Sequence, residues 1–339
     1  MSNKILKFES FKGEQWNKFL DQMNGTLHFH SSEFLEYYTK FDNVKNISFV
    51  IMEGTRCLSM VALGIDTVKK EFSFGSHFCP EPLINQKINN YQRRKLLQFI
   101  RSQIIQLAKK YKVSIYKLFS HPILYEKNMP IISSENQFYQ LKWAREFYVH
   151  NTIIIDLKTT LESIWENFSK YHKKNIKSID KKKITFDAID YKTKKEILNL
   201  TFLEFKQAHF LSAGKKTRPD DTWDIMKKMI VENKALLFTL SFEGKNISFL
   251  YCGLYNKFAY GWSQVNIDTF KIFMPRHLLE WEAIKKLKKM NCKFYEVGER
   301  YFSYDSFKPS EKEISISEFK EKLGGKFYPK VFYTSNLDF

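Results

Sequence analysis

With 339 residues, 43% of them hydrophobic and 17% aromatic, the chain carries enough apolar material for two packed domains or one large one, which excludes global disorder. Its 55 Lys and Arg against 37 Asp and Glu leave a formal charge of +18, which points to a polyanionic partner (nucleic acid, a phosphate-bearing molecule or an anionic surface) unless it reflects a Lys-rich coding bias. Cys57, Cys79, Cys252 and Cys292 form no C-x-x-C pair, and no apolar run suits a signal h-region or a spanning helix, so a cytoplasmic protein without bound metal or disulfides is expected.

In chain order, helices are predicted around Glu14–Leu20 and Ser32–Phe41. A hairpin follows, with Ile47–Met52 and Cys57–Leu63 joined by Glu53-Gly54-Thr55. Next come a strand at Glu71–Gly75, a long amphipathic helix at Tyr91–Tyr111 and a strand at Val113–Phe119. An apolar strand, Thr152–Leu157, opens the second half. Helical patterns cover Thr160–Tyr171, Lys192–Leu211 and Asp220–Asn233. A second hairpin pairs Ala235–Phe242 with Ile247–Cys252 across Glu243-Gly244-Lys245. A strand at Phe258–Gln264, a helix at Arg276–Met290 and a strand at Lys293–Val297 complete the pattern. The order α-α-β-β-β-α-β therefore occurs twice, which predicts a duplicated α/β unit with domains at 1–146 and 147–339.

Several segments of the second half, taken together, resemble the FemAB-like aminoacyltransferases of the GNAT superfamily. They are Thr152-Ile-Ile-Ile-Asp156-Leu157, Leu161 to Ser169 with Trp165 and Phe168, and Lys173-Lys-Asn175-Ile-Lys177. Ala259-Tyr260-Gly261-Trp262-Ser263, Leu278-Leu-Glu-Trp281-Glu-Ala-Ile284 and Phe319-Lys320 with Gly324-Gly325 continue the match. The first half matches more loosely, through Trp16, Phe29–Phe34 and Pro80-Glu81-Pro82. The resemblance implies two tandem GNAT-like domains, each a mixed, mostly antiparallel sheet flanked by helices. It also implies a site where two neighbouring strands, Phe258–Gln264 and Lys293–Val297, splay to admit an acyl donor. The helical arm of well-known members has no heptad counterpart here.

Such chemistry needs a deprotonated amine, a stabilised oxyanion and a held leaving group. Lys320 matches a family lysine near the transfer site, with Phe319 beside it on the substrate. Glu296 and Glu299, around Gly298 and before Arg300, are candidates to accept the amine's proton; the family usually has Asp in this stretch, so these glutamates are a departure. Lys170, Lys174, Lys177 and Lys181, with Lys173, recur on one helix face and suit phosphate contacts as well as a merely solvated surface. Arg218, in the loop with Lys215 and Lys216, offers a guanidinium fork; Arg93, with Arg94, is a candidate for a groove between the domains. Tyr260 and Trp262 are candidates for ring stacking, with Tyr251 on the neighbouring strand and core packing the plainer reading. Arg276 and His277 open the helix on the donor side, and His209 ends one near the basic loop.

One stretch bears on the donor. CoA-using GNAT proteins carry a Gly-rich loop before the long helix, where backbone N–H groups cradle pyrophosphate. Here the stretch is Phe270-Lys-Ile-Phe-Met-Pro275-Arg276-His277, without glycine. A pyrophosphate cradle is therefore not expected, and the resemblance to FemAB-like enzymes implies an aminoacyl-tRNA donor, with acyl-CoA as the alternative and no tightly bound cofactor. The expected acceptor is an amine of a nucleotide- or lipid-linked sugar, a precursor of cell wall or surface glycan. tRNA is then a partner, and transient contact with a membrane surface fits the charge. A non-catalytic RNA- or anionic-surface-binding protein is the rival reading. No His-Glu-x-x-His, Walker loop, nucleophile elbow or dinucleotide fingerprint is present.

Overall fold

The computed structural model describes residues 4–7, 13–85, 87–126, 129–132, 142–179, 183–267, 269–270 and 274–337. The chain divides into two compact units, 1–150 together with 329–339, and 151–328. The predicted domains met at 146/147; the units meet at 150/151, and the last residues group with the first unit, not the second.

The first unit comprises β1 (Lys4–Lys7), α1 (Gly13–Leu20), β2 (Met23–Asn24), α2 (Ser32–Thr39), β3 (Val44–Asn46), β4 (Phe49–Glu53) and β5 (Arg56–Val61). It continues with β6 (Gly64–Asp66), β7 (Glu71–Phe72), β8 (Cys79–Pro80), β9 (Leu83–Asn85), α3 (Asn90–Tyr111), β10 (Ile115–Ser120), β11 (Ile123–Glu126) and β12 (Met129–Ile132). The predicted hairpin is β4–β5, set in a sheet ordered β1-β4-β5-β9-β2. Its turn holds Gly54 at φ +58°, a conformation glycine adopts without strain. The strand predicted at 71–75 is only two residues long, because the chain leaves the ladder for a bridge between Phe74 and His77. Helix α3 begins with a reciprocal cap between Asn89 and Gln92. β10 pairs in parallel with β7 and antiparallel with the C-terminal strand, Ser120 facing Val331 and Ile115 facing Asn336.

The second unit begins on β13 (Glu146–Asp156). It continues through α4 (Leu161–Asn167), α5 (Lys170–Ser178), β14 (Ile184–Ile189), α6 (Lys195–Ala213), α7 (Asp220–Val231), β15 (Ala235–Phe242), β16 (Lys245–Tyr255) and β17 (Phe258–Asn266). Then come α8 (Pro275–Lys289), β18 (Phe294–Arg300) and α9 (Glu311–Glu321); the last strand, β19 (Lys326–Asn336), returns from residue 329 on to the first unit. Its strands run β14-β15-β16-β17-β18-β13. The single helix predicted at 160–171 is two helices. Ser169 leaves the helical conformation and its Oγ accepts from the amide of His172, which caps α5.

β15 and β16 are buried on both faces, so they read as apolar runs without alternation. Leu236, Phe238 and Leu240 share one core cluster with Leu279, Ala283 and Leu287 of α8. Elsewhere Phe205 of α6 and Trp223 of α7 meet edge to face at 5.4 Å, and Phe205 also packs on Phe249 of β16. Each fully buried large side chain contributes about 1.5–3 kcal/mol. Among the described residues no helix is long and apolar enough to cross a membrane.

Candidate active site

β17 and β18 pair in parallel at only three positions, Phe258 with Phe294, Ala259 with Tyr295 and Tyr260 with Glu296. Both strands run on, to Asn266 and Arg300, without that pairing. Each is bulged where the ladder ends. Against β16, the register shifts so that Cys252 faces Gly261 and Tyr251 faces Ser263, which leaves Trp262 as the extra residue. Against β13, Ile154 faces Glu296 and Ile153 faces Gly298, so Val297 is extra. A bulge bends its strand and increases the local twist. Two bulges at one level turn the neighbouring strands apart, as expected for this pair.

The splay opens a cavity of about 320 Å³. Trp262 and Gln264 line it from β17, Tyr295 and Val297 from β18, Arg276 and Glu280 from α8, and Lys320 from α9. His209 reaches it from α6. Two glycines make the close approaches possible. A Cβ on Gly261 would lie 3.0 Å from the Tyr295 hydroxyl. Gly298 sits at φ +121°, and a Cβ there would run into the Lys320 amine.

A charged network surrounds the cavity. The Glu280 carboxyl is buried, which raises its pKa, an effect opposed by Arg276 and by the Tyr295 hydroxyl. Tyr295 Oη donates to Glu280 Oε2 at 3.0 Å. Arg276 Nε donates to Gln264 Oε1 at 2.6 Å, and its guanidinium lies 3.7 Å from the centre of the Phe319 ring. Burial brings the Arg276 pKa down to about 10, with Glu280 and Tyr295 working the other way. Burial, then Arg276, also lowers the Lys320 pKa, while Glu299, Glu280 and Glu296 hold it up. Thr152 Oγ1 donates to Glu296 Oε1 at 2.5 Å, and the Tyr301 hydroxyl donates to Glu299 Oε2 at 2.8 Å. The result is one amine lining the cavity at the splay, under the opposing charges of three carboxylates and a guanidinium.

The start of α8 forms an aromatic floor next to this network. His172 and His277 meet edge to face at 4.2 Å, and both pack on Phe319. Asn175 Nδ2 lies 3.2 Å from His277 Nε2. Burial, then Arg276, lowers the His277 pKa to about 4. His172 falls to about 3, from burial first and then His277. Both imidazoles are neutral at pH 7. Met274 precedes α8 in the left-handed region at φ +48°, Pro275 has no N–H, and the amide of His277 is bonded to the Met274 carbonyl. Residues 271–273 of the glycine-free stretch lie outside the described residues.

The predicted residues divide clearly. Lys320, Phe319, Arg276, His277, Glu296 and Glu299 form one constellation, and Trp262 lines the cavity. Tyr260 is buried, with its ring over Gly253 and 5.6 Å from Trp262. Lys170, Lys174 and Lys177 lie exposed on α5, and none of them lines the cavity. Lys173 folds back onto Glu166, and Lys181 lies outside the described residues. Arg218 stacks on Trp223 at 4.8 Å, with Nη1 3.2 Å from Met226 Sδ. Arg93 belongs to the first unit, where burial lowers its pKa and the charge of the half-buried Glu81 opposes that shift. Glu280, Tyr295, Gln264 and Thr152 were not singled out in the sequence. Glu280 left one signal, since it falls four residues after Arg276 and between the leucines of a buried helix face.

No family model matches the sequence, and no curated protein does. The architecture does match solved structures. FemX superposes with a TM-score of 0.67 at 13% identity, over 98% of this chain and 97% of that one. L-PGS from Bacillus licheniformis gives 0.60 at 14%, over 97% and 93%. A tandem GNAT protein from the clavulanic acid biosynthesis pathway gives 0.56 at 12%, over 99% of both. The fold is the FemAB-like tandem GNAT fold. On this fold, the splayed strands and the Phe319-Lys320 pair fall together in the second unit, although the sequence itself matches no family model.

Proposed function

We propose that this chain is an acyltransferase whose second unit carries the transfer site, with an aminoacyl group moved to an amine of a sugar-containing acceptor. The reading rests on one observation above the others, the splay of β17 from β18 with Lys320 at its edge. In the reaction an acceptor amine attacks the donor's ester carbonyl. A C–N bond forms, the C–O bond breaks, the nitrogen loses a proton and the leaving hydroxyl gains one. Lys320 and Arg276 stabilise the developing oxyanion and leaving group, and Glu296 or Glu299 takes up the amine's proton. Gln264, Phe319 and Glu280 hold the guanidinium in place.

Aminoacyl-tRNA is the proposed donor. The start of α8 supports this, because Pro275 and the bonded His277 amide leave few N–H groups for a pyrophosphate. The resemblance to FemAB-like enzymes points the same way and suggests a nucleotide- or lipid-linked precursor of cell wall or surface glycan as acceptor. The test is incubation with charged tRNA and a panel of amino-sugar nucleotides and lipid-linked amino sugars, read by mass spectrometry. A gain of one aminoacyl group is expected; no transfer from tRNA or CoA donors to any acceptor refutes the reading. The likeness to the tandem GNAT protein favours a second reading, acyl-CoA-dependent N-acylation of an amino sugar. Tight binding of acyl-CoA in calorimetry would select it.

A further inference from the structure

The outer side of α6 is unusual for an exposed surface. Inward, Phe202, Phe205 and Ala208 are buried. Outward, Ile197 is 49% exposed, Leu200 61%, Leu203 50% and Leu211 83%. At helical spacing these four lie on one stripe. Single exposed leucines need no explanation, but a stripe of them marks an interaction surface. Exposed lysines stand at both ends of the helix, Lys192 and Lys194 before it, Lys195 as its first residue, and Lys215 and Lys216 after it. Tyr191 is half exposed beside them, with Lys192 Nζ 5.4 Å from its ring centre.

Two acidic residues share this side. Glu204 is engaged by Asn246 Nδ2 at 2.5 Å, and Glu196 sits in the first turn, where a carboxylate suits the helix dipole. Lys216 is drawn to Asp220 at 2.6 Å. Lys192, Lys194 and Lys195 outnumber Asp190 and Glu196 at the start of the stripe, and Lys215 adds an exposed amine at its end, next to Asp220 and Asp221. A second cavity, of about 580 Å³, opens on the stripe, with Leu211 common to both. Ala208, Phe249 and Ile267 give it apolar walls, and Ser212 and Asn266 line this cavity and the one at the splay alike.

We propose that α6 docks on an anionic lipid bilayer surface. The apolar stripe enters the boundary between headgroups and acyl chains, and the lysines at both ends meet the anionic headgroups. An RNA partner fits less well, because nucleic acid is gripped by exposed arginines and stacking rings and gains nothing from desolvating leucines. The proposal concerns a surface and does not depend on the transfer reaction.

The test is flotation of the full chain with vesicles of phosphatidylcholine alone or mixed with phosphatidylglycerol, over a range of salt. Binding is expected only to the mixed vesicles and should weaken as salt rises. The variant L200S/L203S/L211S should bind roughly tenfold more weakly or worse, and K192E/K215E should also lose binding. These positions are solvent-facing, so circular dichroism and thermal melts should match the parent chain. Equal flotation of the parent and the leucine variant would overturn the proposal. So would an absence of binding to the mixed vesicles, or a leucine variant whose only lost partner is a short RNA.

Discussion

At the residue scale, the site depends on side chains that few other residues could replace. Lys320 approaches Gly298 closely and feels the charge of Glu299, Glu280 and Glu296 against that of Arg276. Replacing it with alanine should reduce kcat by about 10²–10³-fold with a smaller change in KM. Arginine at this position should restore the charge but not the fit, because its fork is wider than an ammonium. Steady-state kinetics with the accepted donor would decide. His172 and His277 carry a pH signature. Their ordinary pKa of 6.5 falls to about 3 and about 4 in the folded chain. The unfolded chain therefore binds more protons between those values and 6.5. The stability from burying them neutral is present above pH 6.5 and is lost as pH falls from 6.5 towards 4 and 3. Each contributes a slope of up to about 1.4 kcal/mol per pH unit in that window. Denaturant unfolding at several pH values should show a shallower acid slope for His277→Gln than for the parent chain.

At the element scale, α8 joins the core to the chemistry. Its Leu279, Ala283 and Leu287 are fully buried, while Arg276 and Glu280 on the same helix reach the cavity. Leu279→Ala should cost about 2–5 kcal/mol, visible as a lower midpoint in chemical denaturation, and should also reduce activity by displacing Arg276. The hairpins, α3 and α8 were readable because periodicity and turn chemistry act within one segment. The break at Ser169 was not, because Leu161–Tyr171 has a continuous helical pattern. The capping contact between Ser169 and His172, together with a hydrogen bond from the Ser169 amide N–H to the Lys322 carbonyl, outweighs that propensity. β19 was missed for a related reason. Its segment Lys326–Asn336 alternates only partly, and its pairing with β10 spans more than half the chain.

At the scale of the whole molecule, the first unit is completed by the chain's own C-terminus. Residues 331–336 pair with β10 along its full length, and Tyr333 is fully buried. Ending the chain after Tyr328 exposes β10 as an edge and removes that burial. The expected result is loss of the cooperative unfolding transition of the first unit. Hydrogen exchange should show lost protection across β10 and α3, with more protection retained in α8. If β10 stays protected in the truncated chain, the strand is dispensable to that unit.

The sequence by itself determined the main helices and hairpins of each half, their repeated order, the pair of strands that would part and the Phe319-Lys320 segment. The elements and their order follow from local periodicity and turn glycines; the parting strands and the Phe319-Lys320 segment follow from the resemblance to FemAB-like enzymes. Only the tertiary structure decided which charges meet. Arg276 with Gln264, Tyr295 with Glu280 and Thr152 with Glu296 are joined across separations of 12, 15 and 144 residues. Such contacts depend on strand register and helix rotation, and a one-residue bulge at Trp262 or Val297 changes both. The same dependence separates the basic residues: Arg276 and Lys320 reach the cavity, while Arg218 rests on Trp223 and Lys174 and Lys177 face solvent.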